Sequence, residues 1–419
     1  MSLSQHCPLK VSLLVAGMAM ASSASAGGLW LSEYNQPTMG RAAAGEAAGT
    51  GDASDAFFNP AAMSRHDNSQ LMVAGGVIKP TVEFDVESGS VINGNGDGGD
   101  AGDLTPSASA FYTRPLDERW SFGIGGLALT GSALDYNDDW VGRFEAREVS
   151  LIVIGLVPSV GYKLTDKLSV GLAVPMMYSD LDLKISVPAP VTPVPGQEGK
   201  ARIDGDDFQV AGSGSFLYEF TESTRIGGRI TSKFDFEYDG EVDTQFLGAV
   251  GVNTELTLAD VARVGLAHDI NDEWSVYATW GWDNWSQMDD VQLSTNSNGA
   301  ALPRNWEDTY HYAAGFDYRM NSRWTLRAGM AFDTNPIDDD EDRTADMPID
   351  EQFRIAVGAD QKRENGSVIS YSLVYADYGD GKLDNSSFQP VLGFTGEYST
   401  NEIWFFSVSY NIQGGVSRR

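Results

Sequence analysis

The side chains best suited to acid–base or nucleophilic chemistry near neutral pH are few here, four histidines and one cysteine. His6 and Cys7 stand at the very start, ahead of an apolar run that reads as a cleaved leader, so neither belongs to the mature protein. His66 follows a stretch of small residues, and His268 shares a strand face with Val264 and Leu266. Only His311 falls on a polar face, in line with Thr309 and Glu307. A hydroxyl, an imidazole and a carboxylate are the parts of a hydrolytic site, but that chemistry needs them to converge, with a further group orienting the base. Alternate spacing along one strand merely sets the three side by side. The residues therefore read as no enzyme: no catalytic residue and no cofactor.

The leader has a positive charge at Lys10, an apolar core from Val11 to Ala21 and a small-residue cleavage site at Ala24-Ser25-Ala26, which places the mature start near Gly27. Cys7 precedes that core, on the wrong side for lipid attachment. With it gone no disulfide, thiolate or cysteine-based metal site remains.

The elements that must position any functional residue are strands. Six short polar turns recur at intervals of roughly fifty residues, beginning at Pro115, Leu164, Phe220, Ile270, Met320 and Lys362. Each is flanked by runs in which apolar residues alternate with small or polar ones, and a long stretch rich in Gly, Asp, Asn or Pro separates one turn from the next. Six turns imply fourteen strands, the first opening near Ser69 and the last closing near Ile412. An even number of antiparallel strands with short turns at one end and long loops at the other is the pattern of a transmembrane β-barrel. The chain is polar on average and lacks an unbroken apolar run long enough for a spanning helix. A barrel resolves this, because only alternate residues meet lipid.

Parity assigns the faces. Trp404, Phe406, Val408, Tyr410 and Ile412 should meet lipid, with Ser407, Ser409 and Asn411 inside. The same split sets Trp324, Leu326, Met330 and Phe332 against Arg327 and Asp333, and Tyr371 and Leu373 against Ser370 and Ser372. Trp120, Trp274 and Trp324 each follow a short turn, where an amphipathic ring suits the membrane interface. Inward parity collects Arg229, Lys233, Asp235, Glu237, Arg263, Asp283, Glu307, Arg327 and Arg354. A charge facing the bilayer midplane costs about 2–4 kcal/mol, so these are expected in the lumen. There they either hold a plug or pass a solute, or pair off and fill the interior. In the third strand Gly123, Gly125, Gly126 and Gly131 leave the wall poor in side chains, and Pro158 and Pro175 each remove a ladder donor. The wall could open sideways there; equally, the glycines could admit a plug and the prolines could sit at bulges.

Between Gly27 and His66 alternation is absent and small residues dominate. Asn59 can cap a short helix with Pro60 at its first position. The segment reads as a compact plug in the lumen, with Glu46, Asp52 and Asp55 available to inward Arg and Lys residues. Domains are therefore expected as leader 1–26, plug 27–66 and barrel 67–419. Charge is strongly acidic, 59 acidic against 28 basic residues for a net of -31, which excludes nucleic acid as a partner. Acidic residues crowd the long loops, as at Asp338 to Asp342 and around Asp97, Asp100 and Asp103. They read as solvated loops or as cation-bridged contacts to lipopolysaccharide; the spacing of a calcium-binding loop is absent, and no metal site is expected.

A family resemblance follows from the order of several motifs. The mature start Gly28-Leu29-Trp30-Leu31-Ser32-Glu33-Tyr34, then Gly40-Arg41-Ala42, Gly45-Glu46-Ala47 and Asn59-Pro60-Ala61, resembles the hatch of the FadL-type long-chain fatty acid transporters of Gram-negative outer membranes. The likeness continues through Trp140-Val141-Gly142-Arg143-Phe144, Trp285-Ser286-Gln287, Trp306-Glu307-Asp308-Thr309 and Trp324 to Asp333. It implies a fourteen-stranded barrel with an N-terminal hatch, a greasy groove among the outer loops and a second pocket near the hatch. It also implies lateral release through a gap at a kinked third strand, here Gly123, Gly125 and Gly126. Carried over, Gly28, Leu29, Trp30, Leu31 and Tyr34 would line the inner pocket and Asn59, Pro60 and Ala61 would fold the hatch, while Arg143, Phe144 and Arg327 are further ligand-binding candidates. Two departures stand out: the chain runs beyond Tyr410 to Arg419, and Glu307 stands where a basic residue would help to receive a carboxylate. The resemblance implies passive, hatch-gated uptake of a hydrophobic small molecule by a monomer in the outer membrane, among lipid and lipopolysaccharide. A hydrophilic porin or surface receptor is the alternative, and a lipid hydrolase using His311 a more distant one.

Overall fold

The computed structural model describes residues 32–90, 92–188, 197–244, 248–288, 290–295, 299–386 and 392–417. The six short turns are hairpin ends, and five share one chemistry. An early side-chain oxygen accepts the backbone N–H groups two and three residues on. Asp117 does so for Arg119 and Trp120, Asn271 for Glu273 and Trp274, Asn321 for Arg323 and Trp324, and Thr165 and Thr221 repeat it. In the sixth, Asn365 accepts from the Ser367 N–H beside Gly366, whose φ of 82° favours glycine.

Fourteen antiparallel strands grow from these turns. They are β1 (Asn68–Gly89), β2 (Thr105–Pro115), β3 (Trp120–Asp135), β4 (Glu148–Lys163), β5 (Leu168–Ala173 with Met176–Val187), β6 (Gly199–Val210 with Ser213–Glu219) and β7 (Thr224–Thr231 with Phe234–Thr244). The second half holds β8 (Gly248–Leu258 with Val261–Asp269), β9 (Trp274–Asp283 with Asp290–Thr295), β10 (Gly299–Pro303 with Thr309–Arg319), β11 (Trp324–Asp333), β12 (Gln352–Lys362), β13 (Val368–Asp377) and β14 (Phe394–Ser417). β14 pairs back onto β1, from Asn68 opposite Ser417 to Gly89 opposite Phe394. The cylinder is closed, as a membrane-spanning sheet requires.

Around most of the wall the faces fall as parity predicts. Trp404, Phe406, Met330, Phe332 and Leu373 are exposed outside, whereas Ser407, Ser409, Asn411, Ser370 and Ser372 are buried inside. Trp120 and Trp274 sit at the short-turn rim, each against a neighbouring Tyr, Tyr162 and Tyr318, with ring centroids 4.6 Å apart.

A row of interruptions crosses the wall from β5 to β8, at Val174-Pro175, Ala211-Gly212, Ser232-Lys233 and Ala259-Asp260. Single hydrogen bonds stitch it together: Val174 N–H to the Pro158 carbonyl at 3.0 Å, Ala211 N–H to that of Pro175 and Ser232 N–H to that of Gly212, both at 2.9 Å. Pro158 and Pro175 thus sit where the ladder is already irregular. In β7 and β8 the interruption also inverts parity, because alternation restarts out of phase with the lower half of the strand. Lys233, Asp235 and Glu237, expected in the lumen, are therefore exposed, and Phe234, Phe236 and Tyr238 turn inward beside Leu256 and Leu258. Glu307 departs for a related reason: it lies in the break within β10 and is exposed, its N–H bonded to the Pro336 carbonyl. Arg229, Arg263, Asp283, Arg327 and Arg354 do face inward.

Candidate functional site

From Ser32 to His66 the chain lies inside the barrel, nearly all of it buried. It forms short helical turns, Pro37–Arg41, Glu46–Ala48, Asp55–Phe58 and Pro60–Arg65. Asn59 caps the last by accepting from Ala61 N–H at 3.0 Å, with Pro60 at the first position as expected. Its amide also donates to the Ala47 carbonyl at 2.5 Å and to the wall at the Phe216 carbonyl at 2.9 Å. Asn59→Ala is expected to loosen the plug by about 1–2 kcal/mol, the usual loss for a cap, and to speed hydrogen exchange of its amides without changing those of the strands.

Close approach between plug and wall depends on glycines. A Cβ at Gly227 would lie 2.0 Å from the Ala47 carbonyl oxygen, one at Gly329 2.3 Å from that of Arg41, and one at Gly161 2.3 Å from that of Pro60. Gly123 meets Met63 and Ala56 in the same way, so this third-strand glycine seats the plug. Polar contacts add to these. Arg41 reaches Asp317 at 2.9 Å, and Asp317 and Asp360 share Arg327 at 3.4 and 2.5 Å. The expected pairing of plug acids with wall cations is not the one found. Asp55 holds His66 at 2.9 Å and the Thr50 and Gly51 amides, and Asp52 holds Ser54. Glu46 Oε2 has no hydrogen-bond partner. The plug lends cations to wall carboxylates, Arg41 to Asp317 and Arg65 to Glu219, and one acid outside the expected three, Glu33, lies 3.8 Å from Arg354 of the wall.

Above the plug the interior is apolar on the β4–β8 side and ionic on the other, where Arg263 with Asp283 and His311 with Asp333 and Arg354 lie buried. Tyr34, Phe57 and Phe58 form a ring cluster with centroids 5.1–5.8 Å apart. They belong to one continuous apolar cluster with Leu151, Val153, Met177, Leu258 and the stacked ladder Phe234, Phe236 and Tyr238. The sequence conceals that ladder, because unbroken parity assigns its Asp and Glu neighbours to the lumen in its place. Alternation of Phe, Phe and Tyr with Asp, Glu and Asp beyond the break is the available signal, since outside the bilayer the polar face meets water. Below the plug lies a cavity of about 300 Å³ lined by Arg65, Arg225, Asp269, Glu273, Asp317 and Arg327.

The long loops pack a second apolar cluster over the top, with Phe84, Phe394, Tyr398, Trp140 and Tyr136. Arg143 works inside this cap. It donates to the carbonyls of Asn93 and Trp140 at 2.6 and 2.9 Å and pairs with Glu198 at 2.6 Å, with its guanidinium over the Phe144 ring. Arg304 holds Asp346 through two bonds of 2.6 and 3.0 Å, and Asn385 donates to Glu145 at 3.1 Å. Burial, with the Asp346 carboxylate nearby, pushes Glu145 up to about 7. A carboxyl raised on folding stabilises below its unfolded pKa and loses that contribution as pH rises through the folded one. The cap is therefore expected to tighten on acidification from about pH 8 to pH 5, read as slower amide exchange in residues 136–147, and Glu145→Gln should abolish the difference.

Of the other ligand-binding candidates, Gly28, Leu29, Trp30 and Leu31 lie outside the described residues. Tyr34 is in the ring cluster, and Arg327 is in the ion network near the short-turn end. His311 points inward as expected, but bonds Asp333 at 2.8 Å, which Arg354 also holds at 2.8 Å; Glu307 is not in reach of this group. Among the described residues no group of three or more His, Cys, Asp or Glu side chains could hold a metal.

One seam in the wall is incomplete. β2 and β3 pair only from Pro115 opposite Ser121 to Ala110 opposite Gly126, although β2 starts at Thr105 and β3 continues to Asp135. Above Gly126, β3 stays on β4, with an irregularity between Ala128 and Thr130. The next contact across the seam is a lone bridge from Gly102 to Leu134.

Comparison with known proteins places this closed barrel with its internal N-terminal plug. The family described as outer membrane protein transport protein (OMPP1/FadL/TodX) matches residues 17–413. The chain belongs to this family. It is an outer-membrane protein, crossing the bilayer with strands. Family relatives include the long-chain fatty acid transport protein of Salmonella typhi, 22% identical over 437 residues that span 96% of this chain and 98% of that one. Outer membrane protein P1 of Haemophilus influenzae is 25% identical, spanning 84% and 86%. Among solved structures, a FadL homologue of Pseudomonas aeruginosa superposes with a TM-score of 0.85 at 21% identity, over 92% of this chain and 99% of that one. The Ralstonia pickettii toluene transporter TbuX gives 0.65 at 19%, over 91% and 98%. These likenesses establish the FadL/TodX fold.

Proposed function

We propose that this chain carries hydrophobic small molecules passively across the outer membrane, as a monomer, with no cofactor and no bond chemistry. The observation that carries the reading is the apolar, aromatic inner wall from β4 to β8 in the upper lumen, set over a charged cavity with the plug between them. An apolar solute gains about 25 cal/mol for each Å² it removes from water in the upper interior. It would lose that gain among the ion pairs beneath. β2 and β3 are unpaired above Ala110 and Gly126, so sideways exit to lipid, which would keep the gain, is placed just beyond Gly126, whereas Gly123 and Gly125 lie within the paired rungs below it. The family's named relatives transport long-chain fatty acids and toluene, so both alkyl acids and aromatic hydrocarbons are reasonable cargoes. The acidic loops then serve as a solvated rim among lipopolysaccharide.

A transport-deficient outer-membrane strain carrying this chain is expected to regain growth on a long-chain alkanoate or an aromatic hydrocarbon as sole carbon source. Growth restored on neither, together with steady large conductance in a planar bilayer, would instead identify a hydrophilic pore.

A further inference from the structure

On the lipid-facing side of the barrel, at the short-turn rim, the turn between β12 and β13 stands beside a pocket of about 780 Å³. Arg323, Lys362 and Arg363 form its lip, and Ile369, Val408 and Tyr410 form its back wall. Ladder register fixes its depth. Trp324 faces Gln361, Gln361 faces Ile369 and Ile369 faces Tyr410, so the back wall lies level with the tryptophan that follows the fifth turn, at the membrane interface. Beyond it the outer face continues as Tyr371, Leu373 and Phe406, all exposed. The lip holds more positive charge than its surroundings neutralise. Among the described residues, Arg323 reaches Glu364 at 3.9 Å, Arg363 reaches the neutral Gln361 at 3.4 Å, and Lys362 makes no ion pair. Elsewhere on the same rim Lys163 meets Asp166 at 3.2 Å, and Arg65 meets Glu219. In a chain of net charge -31, three cations over an apolar wall call for an anionic partner from outside.

We propose that this pocket seats an anionic phospholipid of the periplasmic leaflet, with its phosphate on Arg323, Lys362 and Arg363 and an acyl chain along Val408, Phe406 and Leu373. Short turns lie on the periplasmic side of an outer-membrane barrel, and the leaflet there is phospholipid. The two halves of the pocket call for the two halves of such a molecule. Guanidinium and ammonium groups at the lip favour a phosphate, which arginine can bind through two parallel bonds, and the wall behind them favours hydrocarbon. Soluble phosphate satisfies only the lip. A choline lipid brings a cation that the lip repels. Lipopolysaccharide occupies the opposite leaflet, at the end where the acidic loops lie. The seat is independent of what passes through the lumen, because every residue in it stands on the outer face or in the turn.

The test uses the full-length protein, stripped of lipid in dodecyl maltoside, and compares binding of phosphatidylglycerol with that of phosphatidylcholine of the same acyl chains by native mass spectrometry. Phosphatidylglycerol is expected to bind about tenfold or more tightly, since each basic side chain at an anionic lipid surface contributes about fivefold. Lys362→Gln with Arg363→Gln should lower its affinity about tenfold or more and leave that of phosphatidylcholine unchanged. Lys163→Gln with Lys167→Gln removes the same charge from the second turn and should change neither. Heat-modifiable migration on electrophoresis confirms that each variant is a folded barrel. Millimolar inorganic phosphate should displace no more lipid than chloride of equal ionic strength. Equal binding of the two lipids overturns the seat, as does a preference that survives the sixth-turn variant or is lost equally in the second-turn one. Specific displacement by phosphate would overturn it too, since the pocket would then read a soluble anion and not a lipid.

Discussion

Gly227→Leu combined with Gly329→Leu is expected to convert a sealed barrel into one that conducts steadily in a planar bilayer. At both positions the obstacle is plug backbone, the Ala47 and Arg41 carbonyl oxygens, which lie 2.0 and 2.3 Å from where the new Cβ would stand. No side chain can rotate out of the way. Overpacking a close-fitted site costs about 1–3 kcal/mol, and a backbone obstacle puts these two at the upper end. Because the cost arises only when the plug is seated, about 3 kcal/mol per site would raise the unseated population roughly a hundredfold for each substitution. Arg41 and Asn59 would still tether the plug, which is why two sites on different strands are needed. Gly214→Leu is the control: its Cβ would meet only Ile230 at 4.0 Å, so the bilayer should stay sealed. A double variant that folds and remains non-conducting would mean that the plug tolerates displacement without opening a path.

The parts of this architecture that are legible in the sequence are those set by local rules. Turn chemistry at Asp117, Asn271 and Asn321 repeats because each turn must satisfy the same two amides, and alternation in β11, β13 and β14 is uninterrupted, so strand count and lipid face follow directly. The Asn59-Pro60 cap is equally local. What escapes is non-local. Counting parity through Ser232-Lys233 gives Asp235 and Glu237 to the lumen, because nothing in the residues themselves announces that alternation restarts there; the stitching partner, the Gly212 carbonyl, is on another strand. Exchange of roles between plug and wall escapes for the same reason. Which of Arg41 and Glu46 finds a partner depends on Asp317, some 270 residues away. The glycines are visible at once, but Gly123 alone shows two readings meeting: it seats Met63 and Ala56, and it stands three residues below the last rung of the parted seam.

Closing that seam should stop uptake while leaving binding intact. Cys7 is the one native cysteine and lies in the expected leader, so introduced pairs report without interference. Ala108→Cys with Ala128→Cys bridges the first stretch beyond the Ala110–Gly126 rung. If the pair oxidises, the strands are drawn to the Cα separation of about 4.4–6.8 Å that a disulfide allows, which zips the ladder upward. Where the resting separation is too wide, a short bis-maleimide makes the same link. Tyr112→Cys with Ile124→Cys is the matched control, since these residues already face each other within the ladder. Uptake of a labelled alkanoate or toluene by cells is expected to fall at least about tenfold on oxidation of the upper pair and to return with dithiothreitol, with no change for the lower pair; a factor of ten corresponds to about 1.4 kcal/mol in the barrier. Undiminished uptake through the cross-linked seam would send the cargo downward past the plug. It would then have to cross the charged cavity around Arg225 and Asp317, and substitutions that neutralise that cavity, not the seam, would become the ones that control the rate.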